Sequence, residues 1–310
     1  MFRYAIAVAL ALGAGPAAAQ DHIRVLADWF INPDHAPIIL AEARGEFASR
    51  NLEVELIAPA DPAAPPRLVA AGEGDIAITY QPSLYQQAAE GLPVTRIGTL
   101  VGSPLNSLVA LEGGPIAKLE DLKGKTVGYS VGGFEDALLG RMLHSVGLSL
   151  DDVSLVNVNF ALTPALLSGR VDAVIGAFRN FELTQIAIEG KTGTAFFPEE
   201  HGVPSYEELI FIAHRERAQE PAFGRFLDAL AAATEWAQAN PDDAKALFFA
   251  NQPDLDDRLN NAAFSDTLPK FHAHPKVLDR EGYAAFAAFM TTAGLVKDLP
   301  ALDSYTTELP

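Results

Sequence analysis

Apolar residues in the first hundred positions follow the spacing of β-strands in some segments and the spacing of helices in the segments between them. Segments 23–26, 52–57, 75–79 and 94–101 are either continuously apolar or alternate apolar with polar residues, which is typical of β-strands. The three segments between these strands carry helical patterns that end before a glycine. The resulting order, βαβαβαβ, predicts a doubly wound sheet of parallel strands.

A second unit repeats this arrangement. Strands are predicted at residues 107–111, 126–129, 153–158 and 173–176, with helices between the later strands. One further strand, at residues 209–213, precedes a helical tail. The repetition of strand, loop and helix predicts a second α/β unit beside the first.

The helical tail contains no third βαβ set. Residues 221–240 form an amphipathic pattern, and helical segments continue to about residue 295. We therefore expect the tail to pack on the first unit, so that the chain crosses between two lobes twice, near residues 102–107 and 202–209. In the predicted division, residues 20–104 and 207–310 form lobe 1 and residues 105–206 form lobe 2.

The first 19 residues have the pattern of a secretory signal peptide. Arg3 supplies a charge, residues 5–12 are apolar, and a run of small residues ends at Ala19. The apolar run is too short to span a bilayer. We expect cleavage before Gln20 and a soluble protein exported to the periplasm.

Composition narrows the possible functions. The net charge of −18 argues against nucleic acid and anionic membrane surfaces as partners, and it favours a monomer. The absence of cysteine excludes disulfides, thiolate metal sites and cysteine nucleophiles. No common hydrolase, metalloprotease or phosphate-loop motif is present, so we expect no enzyme and no cofactor. His272 and His274 form a close pair, for which a structural loop is favoured over a metal site.

Polar, charged and aromatic residues follow the predicted strands at their carboxyl ends, where open α/β sheets bind ligands. The loop after the first strand, residues 28–35, contains Asp28, Trp29, Asn32 and His35. These residues could supply an aromatic face and polar contacts to a ligand. A core tryptophan followed by an ordinary Asn-Pro-Asp turn is an equally good interpretation.

Two further loops have the same position. Tyr80 follows the third strand, either as a ligand contact or as a half-buried anchor. A glycine pair ending at Gly133 precedes a helix that begins with Phe134 and Glu135. Glycines before a helix can present backbone N–H groups to a ligand, although a simple turn accounts for them as well.

A fourth loop places Asn180 and Glu182 after the apolar strand 173–176. A carboxylate beside an amide and aromatic residues can accept hydrogen bonds from a basic, planar ligand. A helix-capping role for Glu182 is the alternative. Both interpretations remain open from the sequence.

These segments together resemble the thiamine-pyrimidine-precursor binding proteins, a ThiY-like family of periplasmic solute-binding components of ABC transporters. The resemblance is dense from residue 23 to 215 and looser in the tail. The segments that carry it are DWFINPDH (28–35), AEARGEF (41–47), YQP (80–82), PLN (104–106), DAVIGAFRNFE (172–182) and GVPSYEEL (202–209).

The resemblance implies a type II periplasmic-binding-protein fold: two doubly wound α/β lobes with a ligand cleft between them. It implies a 4-amino-2-methylpyrimidine ligand, stacked by Trp29 and Tyr80 and contacted by Asn32 and Glu182. It also implies permease and ATPase subunits as partners. The candidate ligand-binding residues are Asp28, Trp29, Asn32, His35, Tyr80, Asn106, Gly133, Phe134, Glu135, Phe178, Asn180 and Glu182.

The chain departs from the family pattern in two respects. Arg179 and Phe181 stand where the family often has tryptophan. The related eukaryotic pyrimidine synthases carry a cysteine-rich cluster, which this chain lacks. Two alternatives therefore remain: a synthase, or the same fold with a flavin-like or anionic solute such as a sulfonate. For an anion, Arg179 is the local candidate.

Overall fold

The structure, a computed structural model, describes residues 19–310, and the predicted signal peptide lies almost entirely outside them. Two five-stranded sheets form the framework of the described chain. The first sheet has the order β2-β1-β3-β10-β4. Its strands are β1 (Asp21–Leu26), β2 (Leu52–Ile57), β3 (Ile76–Thr79), β4 (Val94–Val101) and β10 (Leu209–His214).

The second sheet is built from the middle of the chain and has the order β7-β6-β8-β5-β9. Its strands are β5 (Asn106–Leu111), β6 (Thr126–Tyr129), β7 (Ser154–Asn157), β8 (Ala173–Phe178) and β9 (Gly193–Phe196).

The four strands predicted in the first hundred residues run parallel to one another, and each sheet contains one further, antiparallel strand. β1 pairs in parallel with β2 and β3, but β10 lies antiparallel between β3 and β4. In the second sheet β5 lies antiparallel between β8 and β9. The local pattern of a strand specifies its faces but not its neighbours, so a strand inserted from a distant part of the chain could not be predicted.

Helices cover both faces of the sheets. Long helices with one apolar face, such as α7, pack that face on the core and leave charged residues outside. The helices are α1 (Ala36–Ala43), α2 (Pro65–Ala70), α3 (Gln81–Ala89), α4 (Phe134–Ser145), α5 (Leu162–Leu167), α6 (Glu182–Ile188), α7 (Pro221–Ala239), α8 (Pro241–Asn251), α9 (Arg258–Thr267) and α10 (Arg280–Thr292).

The two sheets belong to two lobes that contact each other. The largest apolar cluster surrounds the first sheet, and Phe134 and Leu138 of α4 are part of it although α4 belongs to the second sheet's unit. Two smaller clusters lie around the second sheet. The fold is thus the expected type II periplasmic-binding-protein architecture. No helix in residues 19–310 is long and apolar enough to cross a membrane.

Two connections join the lobes, between β4 and β5 and between β9 and β10. The fully buried Glu208 ties them together. Its carboxyl accepts hydrogen bonds from the backbone N–H groups of Leu105 (2.6 Å) and Asn106 (2.9 Å). Burial raises the pKa of Glu208 to about 7. The two crossing segments therefore form one hydrogen-bonded hinge region.

Candidate functional site

The loop after β1 is shaped by its own side chains. Asn32 caps a short 3-10 turn, Pro33–His35, by accepting a hydrogen bond from Asp34 N at 2.7 Å. The proline begins the turn with a suitable φ, and Asn32 N donates in return to His35 Nδ1 at 3.3 Å. The Asn-Pro-Asp-His sequence thus encodes a rigid connection, which directs Asp28 and Trp29 toward the second lobe.

Asp28 is held between two buried partners. His35 Nε2 lies 3.1 Å from Asp28 Oδ1, and the hydroxyl of Tyr80 donates to Asp28 Oδ2 at 3.0 Å. Because His35 Nδ1 accepts from the backbone, Nε2 carries the hydrogen that is donated to Asp28. Burial raises the pKa of Tyr80 well above its ordinary value, so its phenol keeps its proton. His35 is fully buried and positions Asp28 instead of lining a cavity.

A cavity lies between the lobes at the carboxyl ends of β1, β3 and β8. It encloses about 390 Å³ of empty space, part of which opens to solvent. The first lobe and the second lobe contribute five residues each. The lining residues are Asp28, Trp29, Asn32, Asp34, Tyr80, Glu135, Gly176, Phe178, Phe181 and Glu182.

Four of the lining side chains are carboxyl groups. Burial raises the pKa of Asp34 to about 6, and it raises the pKa of Glu135 and of Glu182 to about 8. Asp28 is the fourth. No lysine, arginine or histidine of residues 19–310 lines this cavity. The cavity therefore favours a ligand that supplies hydrogen-bond donors or positive charge.

Four aromatic side chains also line the cavity, namely Trp29, Tyr80, Phe178 and Phe181. Tyr80 stacks on Phe134 with ring centroids 4.8 Å apart and planes at 16°. Trp29 meets Phe160 edge to face at 4.7 Å. Phe178 lies edge-on to Tyr80 at 6.5 Å. Each of these contacts joins a ring of the first lobe to a ring of the second. This arrangement of aromatic rings therefore requires the two lobes to be in contact.

A glycine in β8 makes room for one of the carboxyl groups. Gly176 has φ +95°, and a Cβ on it would lie 2.3 Å from Glu135 Oε1. The other oxygen of Glu135 accepts from Ser130 N at 2.7 Å. A side chain at position 176 would therefore displace Glu135 from the cavity wall. Neither the conformation nor the close approach could be read from the sequence, where the glycine stands inside a strand.

Glu182 combines the two roles that the sequence left open. It is the first residue of α6, and its carboxyl accepts a hydrogen bond from Phe178 N at 2.7 Å. It is buried and also lines the cavity. The carboxyl is thus held by local backbone in a position that faces the enclosed space.

Seven of the twelve candidate residues line the cavity, and five do not. Asn106 is fully buried and accepts from Gly176 N at 3.1 Å, so it supports β8. Gly133 accepts a hydrogen bond from Gln86 through its carbonyl. Phe134 does not line the cavity, but its ring stacks on Tyr80, which does. The remaining two, His35 and Asn180, bind Asp28 and Asp34 respectively.

Sequence reasoning misses three lining residues and two residues that support the lining. The sequence pattern assigns Asp34 to a turn and Phe181 to a departure from a family pattern. It gives Gly176 the role of an ordinary strand residue. Phe160 and Thr267, which contact Trp29 and Asp34, stand in segments without a recognisable motif. Only Asp34 carried a usable signal, because it lies within the first strand-end loop.

Arg179 does not line the cavity. Its guanidinium forms a bidentate pair with Glu199, with distances of 2.7 and 3.1 Å, and it also donates to the backbone of Asn106. Within residues 19–310, no group of three or more histidine, aspartate or glutamate side chains is arranged to hold a metal ion.

Comparison with known proteins identifies relatives along most of the chain. A protein of Haemophilus influenzae named "Putative thiamine biosynthesis protein" is 52% identical, covering 95% of this chain and 94% of its own length. The formylaminopyrimidine-binding protein of Halalkalibacterium halodurans is 33% identical, covering 76% and 72%. A 4-amino-5-hydroxymethyl-2-methylpyrimidine phosphate synthase of Legionella pneumophila is 27% identical, covering 84% of each chain.

A solved structure with the same fold is the alkanesulfonate-binding protein SsuA of Xanthomonas axonopodis pv. citri. It superposes with a TM-score of 0.72 at 18% identity, covering 95% of this chain and 100% of that one. The likeness supports the two-lobed architecture. The family model described as NMT1/THI5 like matches residues 32–244, which is more than half of the sequence. The chain therefore belongs to the NMT1/THI5-like family.

Proposed function

We propose that this protein is the solute-binding component of an ABC importer and that it binds an aminopyrimidine precursor of thiamine. The ligand would be N-formyl-4-amino-5-aminomethyl-2-methylpyrimidine or the hydroxymethylpyrimidine. The observation that carries the proposal is the cavity with four carboxyl groups, aromatic walls and, in the described chain, no basic lining residue.

An aminopyrimidine suits such a cavity. Its amino group donates two hydrogen bonds, and its ring nitrogen can be protonated, so both can be satisfied by carboxyl oxygens. Its flat ring can stack on Trp29 or on the open face of Tyr80, and each aromatic contact adds about 1 kcal/mol beyond burial. The name of the 33%-identical relative, a formylaminopyrimidine-binding protein, supports the same ligand class.

Two alternatives fit the cavity less well. A sulfonate would need a cation at the site, but Arg179 is occupied by Glu199 outside the cavity. A pyrimidine phosphate synthase, which is the name of a 27%-identical relative, forms a phosphorylated product. A phosphate would face Asp28, Asp34, Glu135 and Glu182 without a counter-charge in the cavity lining.

The proposal includes export. The signal-peptide pattern of residues 1–19 predicts a mature chain that begins at Gln20, which would place the cavity in the periplasm, where a permease and an ATPase-driven importer could receive the ligand. The fold suits this role, because closure of two lobes around a solute changes the surface that a transporter contacts.

The test is ligand identification followed by titration. Small molecules released from the protein purified from its own periplasm should include an aminopyrimidine by mass spectrometry. Isothermal titration should show binding of a 4-amino-2-methylpyrimidine and none of an alkanesulfonate. Asp28→Asn should weaken binding, whereas Glu120→Gln, which changes an exposed carboxylate outside the cavity, should not. Binding of the sulfonate with no heat from the pyrimidine would overturn the proposal.

A further inference from the structure

Asp34, Asn180 and Thr267 meet across the lobes next to the cavity. Asn180 stands in the loop between β8 and α6 of the second sheet's unit. Asp34 follows β1, and Thr267 ends α9 in the tail. Asn180 Nδ2 donates to Asp34 Oδ1 and to Thr267 Oγ1, both at 2.6 Å. Thr267 Oγ1 lies 2.9 Å from the same Asp34 oxygen.

All three side chains are almost completely buried, with 3%, 2% and 0% of Asp34, Asn180 and Thr267 exposed. Hydrogen bonds to a carboxyl group that are shielded from water are among the stronger interactions in proteins. If the lobes separated, Asn180 would exchange its two bonds for water, whereas Asp34 and Thr267, which both belong to lobe 1, would stay together. The cluster can therefore form only in the closed arrangement of the lobes.

Asp34 has a second role at the same time. One of its oxygens, Oδ1, accepts from Asn180, and the residue also lines the cavity. Its other oxygen has no hydrogen-bond partner among the described residues. One carboxyl group thus faces the space for a ligand and holds the opposite lobe. Asn180 itself does not line the cavity.

We propose that Asp34, Asn180 and Thr267 form a latch that couples ligand binding to lobe closure, with Asn180 and Thr267 acting as positioning residues. This inference rests on the proposed function, because it takes the cavity to be the ligand site. A ligand donor on the free oxygen of Asp34 fixes the carboxyl in the orientation that Asn180 needs. Closure in turn holds Asp34 against the ligand, so the two events favour each other.

The latch leads to a specific expectation for the rates of ligand association and dissociation. The ligand enters the open form, in which Asn180 is apart from Asp34 and Thr267, so removal of the latch leaves the association rate unchanged. The closed complex loses its buried cross-lobe bonds, so dissociation becomes faster. For Asn180→Ala we expect the affinity to fall about tenfold to a hundredfold through the dissociation rate. The melting temperature of the free protein should stay within about 2 °C of wild type, since the open form lacks these bonds.

Thr267 provides a matched pair of variants. Thr267→Val removes the hydroxyl at constant shape and should weaken binding in the same way as Asn180→Ala. Thr267→Ser keeps the hydroxyl and should restore near-wild-type affinity. Gln86→Ala is the control, because it removes the cross-lobe hydrogen bond to Gly133 O, which is exposed to water. That change should alter the affinity less than about threefold.

Closure can be measured directly, because the chain has no native cysteine. Spin labels on Glu53→Cys and Lys191→Cys, both exposed and on different lobes, report the interlobe distance by pulsed electron resonance. At saturating 4-amino-2-methylpyrimidine, the wild type should show one short distance, and Asn180→Ala should retain a fraction of the long one.

Two results would overturn the latch. One is an affinity for Asn180→Ala and Thr267→Val within threefold of wild type. The other is reduced affinity with an unaltered closed distance, which would make Asn180 a ligand contact or a purely structural residue. If the labelled wild type binds no pyrimidine, the proposed function fails separately. The latch is then judged on the free protein, where an equal closed fraction in wild type and Asn180→Ala would overturn it.

Discussion

A substitution at Glu182 distinguishes a role in ligand binding from a role in the stability of the fold. Glu182→Gln keeps an acceptor for Phe178 N but places an N–H₂ group where a ligand amino group would donate. We expect the affinity for a 4-amino-2-methylpyrimidine to fall about tenfold to a hundredfold, which corresponds to ~1.5–3 kcal/mol. The melting temperature of the free protein at pH 6 should change little. Calorimetric titration and a thermal melt measure the two quantities, and a lowered melting temperature with normal affinity would leave Glu182 as a helix cap alone.

Trp29 gives an optical signal for the cavity. Trp29 lines it, whereas Trp236 lies on α7 with the Arg44 guanidinium 4.0 Å from its ring centroid. These are the two tryptophans of the chain. Ligand addition should change the intrinsic fluorescence, and Trp29→Phe should remove most of that change. Trp236→Phe is the control and should retain it, so loss of the signal in Trp236→Phe alone would contradict the assignment.

The buried carboxyl groups predict how stability depends on pH. Their pKa values in the folded protein, about 6 for Asp34 and about 8 for Glu135 and Glu182, exceed the values of about 4 for an unfolded chain. Between these values the folded protein binds more protons, so its free energy of unfolding decreases as the pH rises. The contribution of these carboxyl groups to the free energy of unfolding is complete below about pH 4, and it is lost as the pH rises through about 8.

A neutral variant isolates this effect. Glu135→Gln cannot ionise, and its side-chain oxygen can still accept from Ser130 N. Thermal melts of the ligand-free protein between pH 5 and 8.5 should therefore show a shallower decrease in melting temperature for Glu135→Gln than for wild type. Parallel curves would mean that Glu135 is ionised in the folded protein throughout this range.

At the scale of elements, β8 depends on a single glycine. Gly176→Ala would impose a side chain on a backbone with φ +95° and would drive Cβ into Glu135. We expect a loss of at least ~1–2 kcal/mol in the free energy of unfolding from the backbone conformation alone, with a further loss from the contact. Urea unfolding measures it. In a Glu135→Ala background the same substitution should cost less, and equal costs in both backgrounds would show that the contact is relieved elsewhere.

Local patterns predicted the elements but not their assembly. The predicted strands 52–57 and 94–101 coincide with β2 and β4, because the spacing of apolar residues is a property of the segment itself. β9 (Gly193–Phe196) was not predicted, since it is four residues long and only half-buried. The positions of β5 and β10 depend on partners far away in the sequence, which no local pattern specifies.

The same division applies to the site. Asp28, Trp29, Tyr80 and Glu182 could be proposed because each follows a strand, and strand ends converge at one edge of a sheet. Thr267 could not, because its contact with Asp34 depends on how the helical tail packs against the first lobe. Sequence thus indicated the wall of the cavity, and the structure was needed to identify the groups that hold this wall in place.

At the scale of the whole molecule, the two connections between the lobes predict a hinge motion. The cavity walls come from both lobes, so a ligand bound there should favour the closed form. Solution X-ray scattering should show a smaller radius of gyration with saturating aminopyrimidine than without it. Asp28→Asn at the same ligand concentration should give the curve of the free protein. A wild-type curve that does not change with ligand would contradict closure on binding.

The position of β10 has a consequence for the order in which the chain is completed during synthesis. β4 joins the first sheet only through β10, which is encoded more than a hundred residues after it and follows the whole second sheet. Residues 106–196 contain all five strands of the second sheet, so that sheet can close first. The lobe that leaves the ribosome first is therefore the last to be finished, and until residues 209–214 emerge, β3 and β4 have exposed edges that a chaperone could hold.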